Sequence, residues 1–195
     1  MNIPPNRVPL ALPGPRDPSP ETRSPVTPKR WQDSATETVQ VVLPNDSNPL
    51  GFILGGTVMH LIDITGAIAC HRHTNSLALT AAVDGLEFVH TIRVGDMIIL
   101  KSRVTGTFTT SLEVEVEVFS EAVTTGERRL TSRAYLTFVA IDAAGRPQPV
   151  PPLLLETDDD RRRSDAAHGR RAERLARKRE RLGSGSGAMP SLPSR

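Results

Sequence analysis

The sequence of 195 residues predicts an α+β fold, an antiparallel sheet wrapped around one long central helix. Three observations predict it. Between about residues 36 and 141 most segments alternate polar and apolar residues, the period of a half-buried strand. One stretch there, "GGTVMHLIDITGAIACHRH", has helical spacing instead. The order of strand, long apolar helix and four further strands leaves a sheet that must bury one face, and the helix is the only large apolar object available to fill it.

The elements follow in chain order. "TETVQVVL", from Thr36, is the first strand. In the helix Val58, Leu61, Ile62, Thr65 and Ala69 recur on one face, small residues lie between them, and His71 to His73 close it. "LALTAAVDGLEFV" and "MIILKSRVTGTF" alternate again. In "SLEVEVEVF" Val114, Val116 and Val118 point one way and Glu113, Glu115 and Glu117 the other, so the glutamates read as a wet sheet face. "EAVTTGER" has the glycine and threonines of a hairpin turn before the last strand, "RLTSRAYLTFVAID".

Composition divides the chain further. Residues 1–35 are proline-rich and lack apolar periodicity, so they are expected to be a disordered extension. The net charge of +2 hides a split: residues 36–156 carry −5 and residues 157–182 carry +4. The basic segment starts with three aspartates and ends in Arg/Lys, which suits a helix macrodipole, and Glu173 and Arg177 stand at helical neighbour spacing. A solvated charged helix outweighs an RNA or anionic-surface contact as its reading. Residues 183–195 are a flexible tail. No apolar run is long enough to span a bilayer and no secretory h-region is present, so a cytoplasmic protein without membrane contact is expected. The single cysteine, Cys70, excludes an internal disulfide and a multi-cysteine metal site, and reads as small buried filler.

Asp63 is the residue this account does not explain, because it interrupts a stretch built for burial. One reading is an aspartate at the helix rim, solvated or hydrogen-bonded. The functional reading is a carboxylate held rigidly and partly desolvated as a base. The small residues Gly66 and Ala67, a turn away, would leave room beside it. Gly55 and Gly56 favour that reading: at a helix start the backbone N–H groups lack intrahelical partners and can stabilise an oxyanion.

The pattern N-x-x-G-x-x-x-GG-x-x-M-x-x-x-D, here Asn48, Gly51, Gly55, Gly56, Met59 and Asp63, resembles the hotdog-fold acyl-CoA thioesterases of the cytosolic, bacterial and brain type. The likeness continues through "RH" at Arg72, "LTAAVDGLEF" from Leu79, "VGD" from Val94, "TSLEVEVEV" from Thr110, "LTFVAID" from Leu136 and "GRPQPVP" from Gly145. It spans about residues 36–156. The resemblance implies a hotdog fold, a homodimer with sheets joined edge to edge, commonly a trimer of such dimers, and active sites at the dimer interface. It implies acyl-CoA as substrate, with no metal or cofactor. By position, Asp63 is then the general base or the nucleophile, and Asn48 orients water or the carbonyl. Gly55 and Gly56 lie near the oxyanion, while Thr80 and Ser111 are weaker candidates for site or CoA contacts.

Two departures stand out. The family usually carries a proline in the segment "VHTIRVGD", which makes His90 unusual; it reads as a rim or loop histidine. "TSL" replaces the more frequent "TSM". Two rival functions remain at this level. A non-catalytic acyl-CoA sensor could retain Asp63 and Asn48. Hotdog hydratases use a loop resembling D-x-N-P-x-H, but "DSNPLG" has Gly51 where the imidazole would stand.

Overall fold

The structure, a computed structural model, describes residues 27–184. The expected disordered extension up to residue 26 and the flexible tail from residue 185 lie outside the described residues. Strands β1 (Thr36–Val41), β2 (Leu77–Phe88), β3 (Met97–Thr107), β4 (Ser111–Glu121) and β5 (Arg128–Ile141) form one sheet in the order β1-β3-β4-β5-β2. Every pairing is antiparallel. Helix α1 (Gly55–Thr74) fills the concave face, and helix α2 (Asp158–Ser184) follows the last strand. The expected α+β architecture, a sheet around one long helix, is what forms.

The periodicities that predicted the elements are the ones that pack. Val58, Leu61, Ile62, Thr65 and Ala69 of α1 are all buried, as are Val114, Val116 and Val118 of β4. Cys70 is buried as expected, and burial pushes its thiol up to about 12, which removes it from thiolate chemistry near neutral pH. The helix ends where Asn75 adopts a left-handed conformation and its N–H reaches the His71 carbonyl. Gly66 is small for a reason other than the one its spacing suggested. A Cβ there would stand 3.1 Å from the Phe138 ring, so the glycine admits the sheet to the helix rather than making room beside Asp63.

The outer face of the sheet corrects two expectations together. Glu113 and Glu115 do not face water; each is about 1% exposed, because α2 lies across them. Arg170 binds Glu113 through two hydrogen bonds, 2.9 and 2.7 Å, and Arg163 binds Glu115. Only Glu117 of the three keeps partial exposure. The basic helix is therefore not a free solvated one: its arginines neutralise carboxylates that the sheet could not otherwise bury. Its first turn is fixed by Asp160, which accepts from the Thr157 N–H and from Arg103 of β3 at 2.8 Å. Ala167 then packs on β3 where Gly106 leaves space, since a Cβ at Gly106 would come within 2.8 Å of the Ala167 Cβ. Arg177, at pairing distance from Glu173 by sequence, approaches Asp84 instead, at 3.8 Å.

Ordered packing begins before Thr36, where composition set the boundary. Lys29 bridges to Leu153, Ser34 is buried, and Trp31 lies under the Arg103 guanidinium at 3.9 Å.

Candidate active site

Asp63 is the ninth residue of α1, which starts after Leu54 closes the preceding loop, and it stands on the flank between the buried stripe and the exposed face. It is half-buried and lines a cavity of about 250 Å³ whose walls include Met59, Ile62, Val83, Leu86 and Leu136. An apolar wall of that kind excludes bulk water from part of the carboxylate. The Thr80 hydroxyl, projecting from β2, donates to Asp63 Oδ1 at 2.6 Å. Oδ2 has no hydrogen-bond partner among the described residues. One oxygen thus fixes the carboxylate and the other remains for chemistry. His60 lines the same cavity one helical turn earlier, a neighbour that i, i+3 spacing from Asp63 could have indicated.

Asn48 is held by the loop before α1. Its Oδ1 accepts from the Leu50 and Phe52 N–H groups at 3.0 and 3.2 Å, and its own N–H donates to the Phe52 carbonyl. This turn needs the positive φ of Gly51, +77°. With the oxygen committed to the backbone, the Nδ2 protons have no acceptor among the described residues and remain available as donors.

Gly55 and Gly56 open α1 after Leu54, whose side chain makes no capping bond, so the first N–H groups of the helix are uncapped. Both glycines are exposed; a Cβ at Gly56 would meet nothing within 4 Å, and one at Gly55 would touch only the Phe88 ring. Beside them lies a second cavity of about 250 Å³, bordered by Gly55, Val58, Phe88, His90 and Ile92. His90 is exposed on its rim, which agrees with the loop reading.

The structure brings Asp63 and Thr80 into contact but does not gather every candidate in one chain. Gly56 precedes Asp63 by about 10 Å of helix rise, too far for one carbonyl to touch both. Ser111 pairs with Val139, which in turn pairs with Leu79, so two strand spacings, roughly 10 Å, separate it from the neighbour of Thr80. No hydrogen bond joins the Ser111 side chain to Asp63 among the described residues. Among the described residues there is no cluster of His, Cys, Asp and Glu able to hold a metal, and no helix long and apolar enough to cross a membrane.

Comparison with known proteins adds a family. The model of the thioesterase superfamily matches residues 50–127. The chain is 37% identical to a Bacillus subtilis protein named an uncharacterized acyl-CoA thioester hydrolase, YkhA, over 83% of this chain and 90% of that one. It is 33% identical to the cytosolic acyl coenzyme A thioester hydrolase of Mus musculus, of which it spans 39% while 74% of this chain is covered. Among solved structures, an apo-hexameric acyl-CoA thioesterase superposes with a TM-score of 0.75 at 38% identity, covering 78% of this chain and 98% of that one. The acyl-CoA hydrolase of Staphylococcus aureus, solved with butyryl coenzyme A, coenzyme A and coenzyme A disulfide, gives 0.74 at 32% identity, with 80% and 95% covered. Variants of that hydrolase with alanine in place of an aspartate, an asparagine and a threonine have also been solved.

Proposed function

This chain belongs to the thioesterase superfamily, among its hotdog-fold acyl-CoA thioester hydrolases, and from that premise we propose that it hydrolyses acyl-CoA to a free carboxylic acid and CoA. The observation that carries the reading is Asp63: a carboxylate on the central helix, half-buried in an apolar cavity, with one oxygen held by Thr80 and the other unpaired among the described residues. The three residues replaced in the S. aureus variants stand at the same intervals along their chain as Asn48, Asp63 and Thr80 do here, which supports assigning those three to the site.

In this mechanism Asp63 Oδ2 either takes a proton from water as the water attacks the thioester carbonyl, or attacks that carbonyl itself to form an anhydride that water then cleaves. Thr80 keeps the carboxylate in one rotamer. The uncapped N–H groups at Gly55 and Gly56 meet the oxyanion, assisted by the positive end of α1, and the Asn48 amide orients water or carbonyl through its free donors. Collapse of the tetrahedral intermediate expels CoA as thiolate, a good leaving group that needs little acid assistance.

The separation of Asp63 from Gly56 along one helix favours a site shared between two copies, in which one protomer supplies the oxyanion donors and its partner the carboxylate. β2 is at the edge of the sheet and displays the exposed apolar side chains Leu77, Leu79, Val83 and Phe88, which suits a homodimer joined along that edge. The hexameric relative is in keeping with a trimer of such dimers. A cytoplasmic setting accords with the name of the mouse relative.

The test is thiol release from a panel of acyl-CoAs of increasing chain length, with wild type and Asp63→Asn side by side. Turnover in the variant should fall about a hundredfold to ten-thousandfold while CoA binding and oligomeric state persist. Wild type that binds acyl-CoA without releasing thiol from any chain length would instead make the protein a sensor.

A further inference from the structure

Asp84 and Arg174 form an ion pair on the opposite side of β2 from the Asp63 cavity. Within one protomer the ladder of this strand is interrupted. Among the described residues of one chain β2 pairs only with β5, and its register shifts between Thr80 and Ala82 and again between Asp84 and Glu87. Between the two shifts only Ala82, Val83 and Asp84 remain in register, opposite Thr137, Leu136 and Tyr135. Gly85 turns the strand at the second shift with φ of +65°. Bulges of this kind bend a strand and re-aim its side chains, so the direction of this short piece depends on contacts outside the β2–β5 ladder as well as on the ladder itself.

That piece carries the site. Thr80, the hydrogen-bond donor to Asp63, stands immediately before the first shift, and Val83 is a wall of the Asp63 cavity. Val83 and Asp84 are consecutive: one meets the cavity and the other meets α2, so displacement of Asp84 displaces the cavity wall. Asp84 is 11% exposed, and Arg174 is its principal counter-charge, with Arg177 further off at 3.8 Å. α2 can hold it firmly, because the turns of the helix just before Arg174 are pinned to the sheet by Asp160–Arg103, Arg163–Glu115 and Arg170–Glu113.

We propose that Asp84 and Arg174 are positioning residues for thioester hydrolysis, a clamp through which the C-terminal helix holds the bulged middle of β2 and thereby the Thr80 hydroxyl on Asp63. The inference rests on Asp63 being the catalytic carboxylate. It gives α2, which lies beyond the residues matched by the family model, a part in the reaction.

The test is steady-state kinetics of full-length Arg174→Ala and Asp84→Asn, the latter avoiding a buried unpaired carboxylate, with folding and oligomer checked for each. Both should lower kcat about tenfold at nearly unchanged KM, as a small misplacement of a catalytic group does. Arg174→Lys should recover part of the loss. In a Thr80→Val background the same substitutions should cost little more, because the contact they act through is already gone. A lowered melting temperature with wild-type kcat, a raised KM at constant kcat, or an undiminished loss on top of Thr80→Val would each overturn the clamp. Asp63→Asn assayed alongside separates the two claims: if it abolishes turnover while Arg174→Ala does not reduce kcat, only the clamp fails.

Discussion

On β4, consecutive residues enter two different interfaces. Val114, Val116 and Val118 are buried against the α1 side of the sheet, and Glu113 and Glu115 are just as buried beneath α2 on the other. Both faces are dry, yet one is closed by apolar contact and the other by ion pairs with arginine. Burial alone therefore does not tell what holds an interface. The apolar face gains stability from the area it removes from water, whereas the ionic face recovers through pairing what its carboxylates lose in hydration.

The largest expected effect lies on the apolar face. Phe138→Ala should destabilise the protein by about 3–5 kcal/mol, since the Phe138 ring is fully buried and packs directly on Gly66 of α1. Urea denaturation would measure it. A loss below about 1 kcal/mol would mean that α1 settles onto the sheet without that ring, and the contrast between the faces would weaken.

The ionic face should respond differently to single and paired changes. Arg170→Ala leaves Glu113 buried without its counter-charge, with only the Thr105 hydroxyl still donating to it, and should cost about 3 kcal/mol. Replacing Glu113 and Arg170 together by leucine should cost much less, or stabilise, because no charge is then stranded. The same denaturation experiment compares them. If the double variant is as unstable as Arg170→Ala, the pair contributes favourably beyond neutralising itself, and the two faces are more alike than their chemistry indicates.

This difference also explains which parts of the molecule were legible in the sequence. The α1 stripe from Val58 to Ala69 and the alternation in β4 are one-dimensional records of burial, and both folded as their spacing indicates. A run of arginines carries no such record: the same residues suit a solvated helix or one that neutralises distant carboxylates. Arg170 and Glu113 are 57 residues apart, and nothing local to either names the other. The helix and its glutamates were accordingly both read as wet, each lacking the cover that the other supplies. The site divides in the same way. Asp63 stood out because a carboxylate breaks an apolar pattern, while the Thr80 hydrogen bond depends on the approach of β2 to α1. Thr80 entered as a weaker candidate through family likeness, not through any local signal. The role of Gly66 was misplaced for a related reason, since the Phe138 ring that needs its space comes from the other side of the fold.

The smallest effect separates the faces by pH. His73 is buried at the end of α1 with Nε2 3.0 Å from the Pro151 carbonyl and Nδ1 unpaired, and burial holds its pKa below the ordinary 6.5 despite that contact. The unfolded chain then binds a proton at this ring before the folded one does, so stability falls as pH drops below about 6.5. On the α2 side Asp160 acts in the same sense but in a lower window of pH. Burial opposes its ionisation, but hydrogen bonds from Thr157 and the charge of Arg103 outweigh it and hold the carboxyl below the ordinary 3.8. Its contribution is present above that value and disappears only as pH falls through its lower folded pKa. Melting temperatures taken from pH 7 down to pH 5 should therefore decline through His73 while the Asp160–Arg103 anchor of α2 stays intact. His73→Gln, which can retain a donor toward Pro151, should flatten the decline, and Asp160→Asn should lower the melting temperature without changing its slope. A slope unchanged by His73→Gln would assign the acid sensitivity to the ionic face instead.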